Sequence, residues 1–252
     1  MRAIPLWGIQ DPVASLSHFL AAGLTLYGGY RLILKTRGNG LRVGASLLYL
    51  GCLLFLFSMS GLYHSLHPGP WRAYFRRLDY MGIWLVIAGS ATPIHMLLMR
   101  GPWRWGMLAL FWAGALSCLF FVNDHFRALS YPTIVCLYMA VGGLGTISFY
   151  RLHQKFGLRK LGLLAFGGFA YALGAVIDAV GRPVLWKGVL GPHEIFHLLV
   201  MAGAASHYLF IYGWADVRMR KVRAFTRAWS RRRAAGRPAP GLAPEAAPEP
   251  AP

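Results

Sequence analysis

Seven mostly apolar stretches, set apart by short runs that carry Arg or Lys, leave this chain few ways to fold. About 20 such residues in a helix cover the roughly 30 Å hydrocarbon core of a bilayer. The stretches run approximately over Val13–Leu34, Val43–His64, Leu78–Leu98, Trp105–Val122, Pro132–Tyr150, Leu161–Gly181 and His193–Ala215. Inside lipid every backbone N–H and C=O needs an internal partner, so a spanning segment is either a helix or a strand of a closed barrel. Barrel strands alternate apolar and polar residues, whereas the run from Leu47 to Phe57 is apolar on all sides. The expected fold is an all-α integral membrane protein, a seven-transmembrane-helix bundle over residues 13–215. Residues 1–12 form an N-terminal segment before it, 216–236 a basic juxtamembrane segment after it, and 237–252 a disordered Pro/Ala-rich tail. The first stretch is too long for a cleavable signal peptide, and only Arg2 is basic ahead of it.

Charge is scarce but one-sided: 26 Lys and Arg against 8 Asp and Glu give a net +18. A nucleic-acid partner calls for basic residues clustered on a soluble folded surface. Here they fall in loops and a tail between apolar blocks, the pattern of a membrane protein beside anionic lipid, so no nucleic acid is expected. Sorted by the parity of seven spans, seven basic residues lie on the N-terminal side and nineteen on the other, nine of these in the tail from Arg218 to Arg237. The positive-inside rule then puts the N-terminus outside and the C-terminus in the cytoplasm. Within the tail, Val222, Phe225 and Trp229 share one helical face among basic residues over Val217–Arg233. That pattern suits a helix lying on an anionic leaflet, and a plain positive-inside anchor explains it equally well.

Glycine is frequent, with 30 residues, including Gly142-Gly143-Leu144-Gly145 and Gly167-Gly168 inside apolar blocks. Small residues between membrane helices allow close backbone approach, so a tightly packed bundle is expected there. Trp71, Trp103, Trp105 and Trp186 stand near block ends, as in an aromatic belt. Cys52, Cys118 and Cys136 lie within apolar blocks at unrelated spacings and define neither a disulfide framework nor a metal motif.

Ionisable residues inside membrane spans mark functional sites by default. His18 lies about a turn and a half into the first block from the N-terminal side. Ser60 and His64 end the second block on that side, Asp79 opens the third, and His193 and His197 open the seventh. Four helices thus present polar groups at one level of one leaflet. Ser60 and His64, like His193 and His197, are four residues apart and share a helix face, about 5–6 Å apart at Cβ. Two imidazoles so placed can share one metal. A third nitrogen from His64 gives three protein ligands and an open fourth position, the arrangement of a catalytic zinc site. Zn²⁺ suits such ligands best, and Fe, Mn or Ni are also accepted by His with carboxylate. Asp79 is a candidate to hold or deprotonate a bound water, and Ser60 to hydrogen-bond that water or a developing oxyanion.

His193-Glu194-Ile-Phe-His197 matches HExxH letter for letter, a motif that supplies two zinc ligands and a general base in zincins. Glu194 stands about 100° round from His193 at the block's start, where it also suits the positive helix N-terminus. Both roles stay open for Glu194. His18, His95, His153 and His207 take a structural or interfacial reading. Asp178 is either a solvated helix end or a second acid near the site.

Together, Ser60-Gly-Leu-Tyr-His64, Phe75-Arg-Arg-Leu-Asp79-Tyr-Met-Gly-Ile83, Ile87-Ala-Gly-Ser-Ala-Thr-Pro93 and Gly191-Pro-His193-Glu-Ile-Phe-His197, followed by His207-Tyr208, resemble the hemolysin III family. That family groups with the progestin and adipoQ receptors and, more distantly, with alkaline ceramidases, and the likeness runs from Asp11 to Tyr212. The resemblance implies zinc held by His64, His193 and His197, with Asp79 near the zinc-bound water and Ser60 beside it. It also implies a multi-pass protein of a bacterial inner membrane whose partners are membrane lipids. The receptor members have a cytoplasmic N-terminus, opposite to the orientation read from charge, so the compartment faced by the site stays open. Two function classes follow: a zinc-dependent hydrolase of a lipid amide or ester, or a non-enzymatic membrane-homeostasis or sensing protein or pore-forming hemolysin. Polar groups gathered in one leaflet argue against a continuous pore, which needs a polar face through the whole bilayer.

Overall fold

The computed structural model describes residues 4–216, and they form seven α-helices. These are α1 (Pro12–Thr36), α2 (Gly40–Ser65), α3 (Pro70–Leu98), α4 (Pro102–Asp124), α5 (Tyr131–Phe156), α6 (Gly162–Val180) and α7 (Pro192–Trp214). The basic segment from Val217 and the Pro-rich tail lie outside the described residues. Proline is the first residue of α1, α3, α4 and α7 and the second of α5, where its missing N–H costs nothing and its fixed φ suits the first turn. Asn39 caps α2 by accepting from Arg42 N, and Ser130 caps α5 by accepting from Thr133 N.

Six of the seven helices are long and apolar enough to cross a membrane. The exception, α1, has 25 residues but dilutes its apolar content with Ser15, Ser17, His18, Thr25, Arg31 and Lys35. Its polar residues on the inner face are buried against neighbours, Ser15 and His18 at 0% and 1% exposure. Large apolar side chains such as Leu20, Leu24, Phe120, Phe166 and Phe169 face outward instead, the inversion expected of a lipid-facing bundle.

Helices α2 and α3 pack closely, as do α6 and α7, α1 and α2, and α3 and α4. Tyr49, Leu53, Leu56, Phe57, Val86, Ile94, Val200, Ala204 and Ile211 form the main core, and a second cluster around Trp84, Phe111 and Tyr138 joins α3, α4 and α5. Gly82 brings α3 onto α2: a Cβ there would sit 2.9 Å from Leu56 Cα. A Gly82→Val substitution must push two backbones apart, and destabilisation by about 1–3 kcal/mol is expected in thermal unfolding in detergent. Gly167 and Gly203 do the same between α6 and α7, each ideal Cβ lying 3.1 Å from the other's carbonyl oxygen.

Two expectations change. Gly142, Gly143, Gly145 and Gly168 do not mediate close packing: a Cβ at any of them meets nothing within 4 Å. They line a partly open cavity of about 500 Å³ between α3, α5, α6 and α7, because α5 touches its neighbours only along short stretches. Secondly, Asp79 does not open the third helix. Pro70 starts α3 two and a half turns earlier, since the Arg72, Arg76 and Arg77 segment continues the helix ahead of its apolar part.

Candidate metal centre

All the polar residues singled out at one level gather at the end of the bundle where α1, α3, α5 and α7 begin and α2 and α6 finish. Chain segment 4–11 covers this end. Gln10 N donates to Ser65 O and Asp11 N to His64 O, while Ser15 Oγ donates to Gly61 O, so α1 is tied to the last turn of α2.

His64, His193 and His197 each offer one ring nitrogen, and the three atoms lie within 4.8 Å of one another. His193 Nε2 stands 3.4 Å from His64 Nε2 and 3.0 Å from His197 Nε2. Ligands about 2.0–2.1 Å from a tetrahedral ion are separated by about 3.3 Å, close to the two His193 separations, so the group could hold one small cation. His64 and His197 are buried, whereas the His193 side chain keeps 43% of its surface and leaves the group open on that side.

The outer ring nitrogens decide whether the inner ones are available to a metal. His64 Nδ1 lies 3.0 Å from Asp11 Oδ2, and His193 Nδ1 lies 3.1 Å from Asp178 Oδ1. A carboxylate only accepts, so each Nδ1 carries the proton and each Nε2 presents a lone pair. These are carboxylate–histidine pairs of the kind that orient metal ligands. Burial works against the charge on Asp11, but hydrogen bonds from His64 and Arg72 outweigh it and hold the carboxyl below its usual range. Its contribution is therefore present above the pKa of an unfolded Asp and is lost as pH falls through the lower folded value. Asp178 accepts a second hydrogen bond from Tyr131 Oη on α5. Converging lone pairs at this distance repel one another, and a cation between them removes the repulsion.

Asp79 and Ser60 stand outside the trio of nitrogens but line a cavity of about 40 Å³ with His193 and His197. One water needs about 10–15 Å³. The fully buried Ser60 hydroxyl lies beside the Asp79 carboxyl but makes no hydrogen bond of good geometry to it, so both polar groups face a ligand or water placed there. Leu56, Ile83, Tyr138, Ala175, Phe196 and Val200 line both this cavity and the 500 Å³ one, making the two adjacent.

Glu194 resolves to the helix end: its Oε2 accepts from Gly191 N at 2.9 Å and caps α7. Asp178 resolves to the site through His193. Asp11 is new. It precedes the first apolar block, and nothing in its spacing points to a histidine 53 positions away. His18 also joins the site, with Nε2 3.2 Å from His197 Nδ1. His95 and His207 hydrogen-bond within the bundle, to Ser148 and to Leu164 O respectively. The three cysteines are free.

Residues 8–208 match the family model described as Haemolysin-III related. "Hemolysin-3" of Bacillus cereus is 28% identical over 206 residues, covering 81% of this chain and 91% of that protein. The "Hemolysin-3 homolog" of Bacillus subtilis (strain 168) is 26% identical over 163 residues, 63% of this chain and 71% of the relative. The "Adiponectin receptor protein" of Drosophila melanogaster is 30% identical over 186 residues, but those cover only 41% of its length against 68% of this chain. The matched span contains all seven helix starts and every residue of the histidine centre, and on that match the chain belongs to the haemolysin-III related family of multi-pass integral membrane proteins.

Proposed function

We propose that the chain is a zinc-dependent hydrolase of a membrane lipid amide or ester. The observation that carries the reading is the set of three Nε2 lone pairs converging beside an acid, Asp79, that is not one of them. Imidazole ligands in a tetrahedral arrangement favour zinc, and three protein ligands with an open position favour a catalytic over a structural site. Zinc, when bound, supplies Lewis-acid polarisation of a carbonyl and lowers the pKa of water to about 7.

The chain's own residues divide the remaining work. Asp79 takes the proton of the attacking water at a carboxylate oxygen and passes it to the leaving amine or alcohol. Ser60 Oγ–H, beside the Asp79 carboxyl, donates to the oxyanion that develops on the lipid carbonyl. The 500 Å³ cavity, walled mainly by apolar side chains and open along one side, seats an acyl chain. The open side at His193 admits water and releases the polar product. The basic-residue count supports a bacterial inner-membrane protein with its N-terminus outside and its C-terminus in the cytoplasm, and the compartment faced by the centre stays open. Against a pore stands the confinement of the site's polar groups to one end of the bundle.

The test is incubation of purified protein with chain-labelled ceramides and phospholipids, following release of free fatty acid. Hydrolysis of at least one class, abolished by a chelator and restored by zinc, is expected. Absence of release across the panel from zinc-loaded protein contradicts the hydrolase reading and favours a sensor. A Gly142→Leu variant, whose new side chain projects into open space in the cavity, is expected to raise KM for long-chain substrates more than for short ones. Its zinc content should stay at the wild-type level.

A further inference from the structure

The three outward-facing ring nitrogens of the centre do not end on the same kind of acceptor. His64 and His193 face carboxylates, whereas His197 Nδ1 faces another imidazole, His18 Nε2, at 3.2 Å. Two neutral imidazoles share a hydrogen bond only when one donates and the other accepts. The direction is set one step further out. His18 Nδ1 lies 3.1 Å from the carbonyl oxygen of Ala14, one turn back on α1. A carbonyl only accepts, so His18 carries its proton at Nδ1 and offers a lone pair at Nε2. His197 must then hold its proton at Nδ1, which leaves its Nε2 free to face His193 Nε2.

We propose that His18 is a positioning residue for the metal, fixing the tautomer and ring orientation of His197 through the chain Ala14 O, His18, His197. The inference rests on the metal-site reading above. Packing supports it. His18 is 1% exposed and meets Phe57 and His197 edge-on, with ring centroids 5.5 Å and 4.5 Å away, so its ring has little room to turn. Chemistry explains why this position holds an imidazole and not a carboxylate. Asp11 and Asp178 sit near the bundle's end and have further donors in Arg72 and Tyr131. His18 lies deeper, among Leu56 and Val200, where an ionised carboxylate would be costly to bury. A neutral ring supplies the acceptor without the charge. The polar inner face of α1 follows from this: the residue preceding the helix and its second turn supply the acceptors for His64 and His197.

Three variants test the proposal by zinc affinity, measured in competition with a chromophoric chelator, and by the visible absorption of the cobalt(II)-substituted protein. His18→Leu keeps most of the volume and removes the acceptor; zinc affinity should fall about 10–100-fold and the cobalt bands should shift. His18→Gln, whose amide oxygen accepts in place of Nε2, should recover most of the affinity and the wild-type bands. Phe57→Ala, which loosens the packing beside His18 but leaves the acceptor, should lower the Tm of the metal-free protein with little change in affinity. A His18→Leu protein that binds zinc as tightly as wild type overturns the proposal. So does a loss that His18→Gln does not restore and Phe57→Ala reproduces. Wild-type protein that takes up no zinc overturns the metal reading itself, before any variant is compared.

Discussion

An Asp79→Asn protein is expected to keep its zinc and lose lipid hydrolysis by about 10²–10⁴-fold, the range a positioned general base contributes. Asn matches Asp in size and still fits the buried position that Asp79 holds at 8% exposure, so the fold should tolerate it. What it lacks is a group that can accept a proton from water. Because Asp79 stands outside the three-nitrogen group, removing its charge should leave metal content at the wild-type level. The loss should appear in kcat, with KM little changed, since chain binding belongs to the apolar cavity. Turnover at the wild-type rate would exclude Asp79 as the base, and loss of metal together with activity would make it a ligand.

Replacing both imidazoles of α7, in a His193→Ala/His197→Ala protein, should reduce bound zinc to background and abolish hydrolysis. One imidazole cannot hold the ion where three did. Stability gives a second readout. A metal that binds only the folded state adds about 2.7 kcal/mol when free metal is 100 times its Kd. Chelation should therefore lower the Tm of wild-type protein and leave that of the double variant unmoved. In the absence of metal the variant should be nearly as stable as wild type, because two of three mutually repelling lone pairs are gone. A chelator response that survives the double substitution would put the metal elsewhere.

The helices and the inner circle of the site are legible in the sequence because local rules govern them. Continuous apolar runs and Pro at helix starts mark the spans, and i, i+4 spacing puts His193 beside His197 on one face. Parity of the spans then brings His64 and Asp79 to the same end. What lies one layer out follows from where side chains meet in space. The Asp11 carboxylate reaches His64 only because the segment before α1 folds back onto the end of α2, and His18 reaches His197 from 179 positions away. Glu194 shows the converse: a letter-perfect HExxH whose Glu caps its own helix, since the first turn of α7 offers it an N–H at 2.9 Å. Glycine has two opposite meanings in this bundle. The same missing side chain marks contact at Gly82 and Gly167 and empty space at Gly142 and Gly168, and only the neighbour across the gap distinguishes them.

The most direct measurement is the zinc content of the wild-type protein purified without added metal, determined by elemental analysis against protein concentration. Three neutral imidazole nitrogens held toward one point predict one zinc per chain. Protein that carries none and takes up none on addition would contradict the account at its centre.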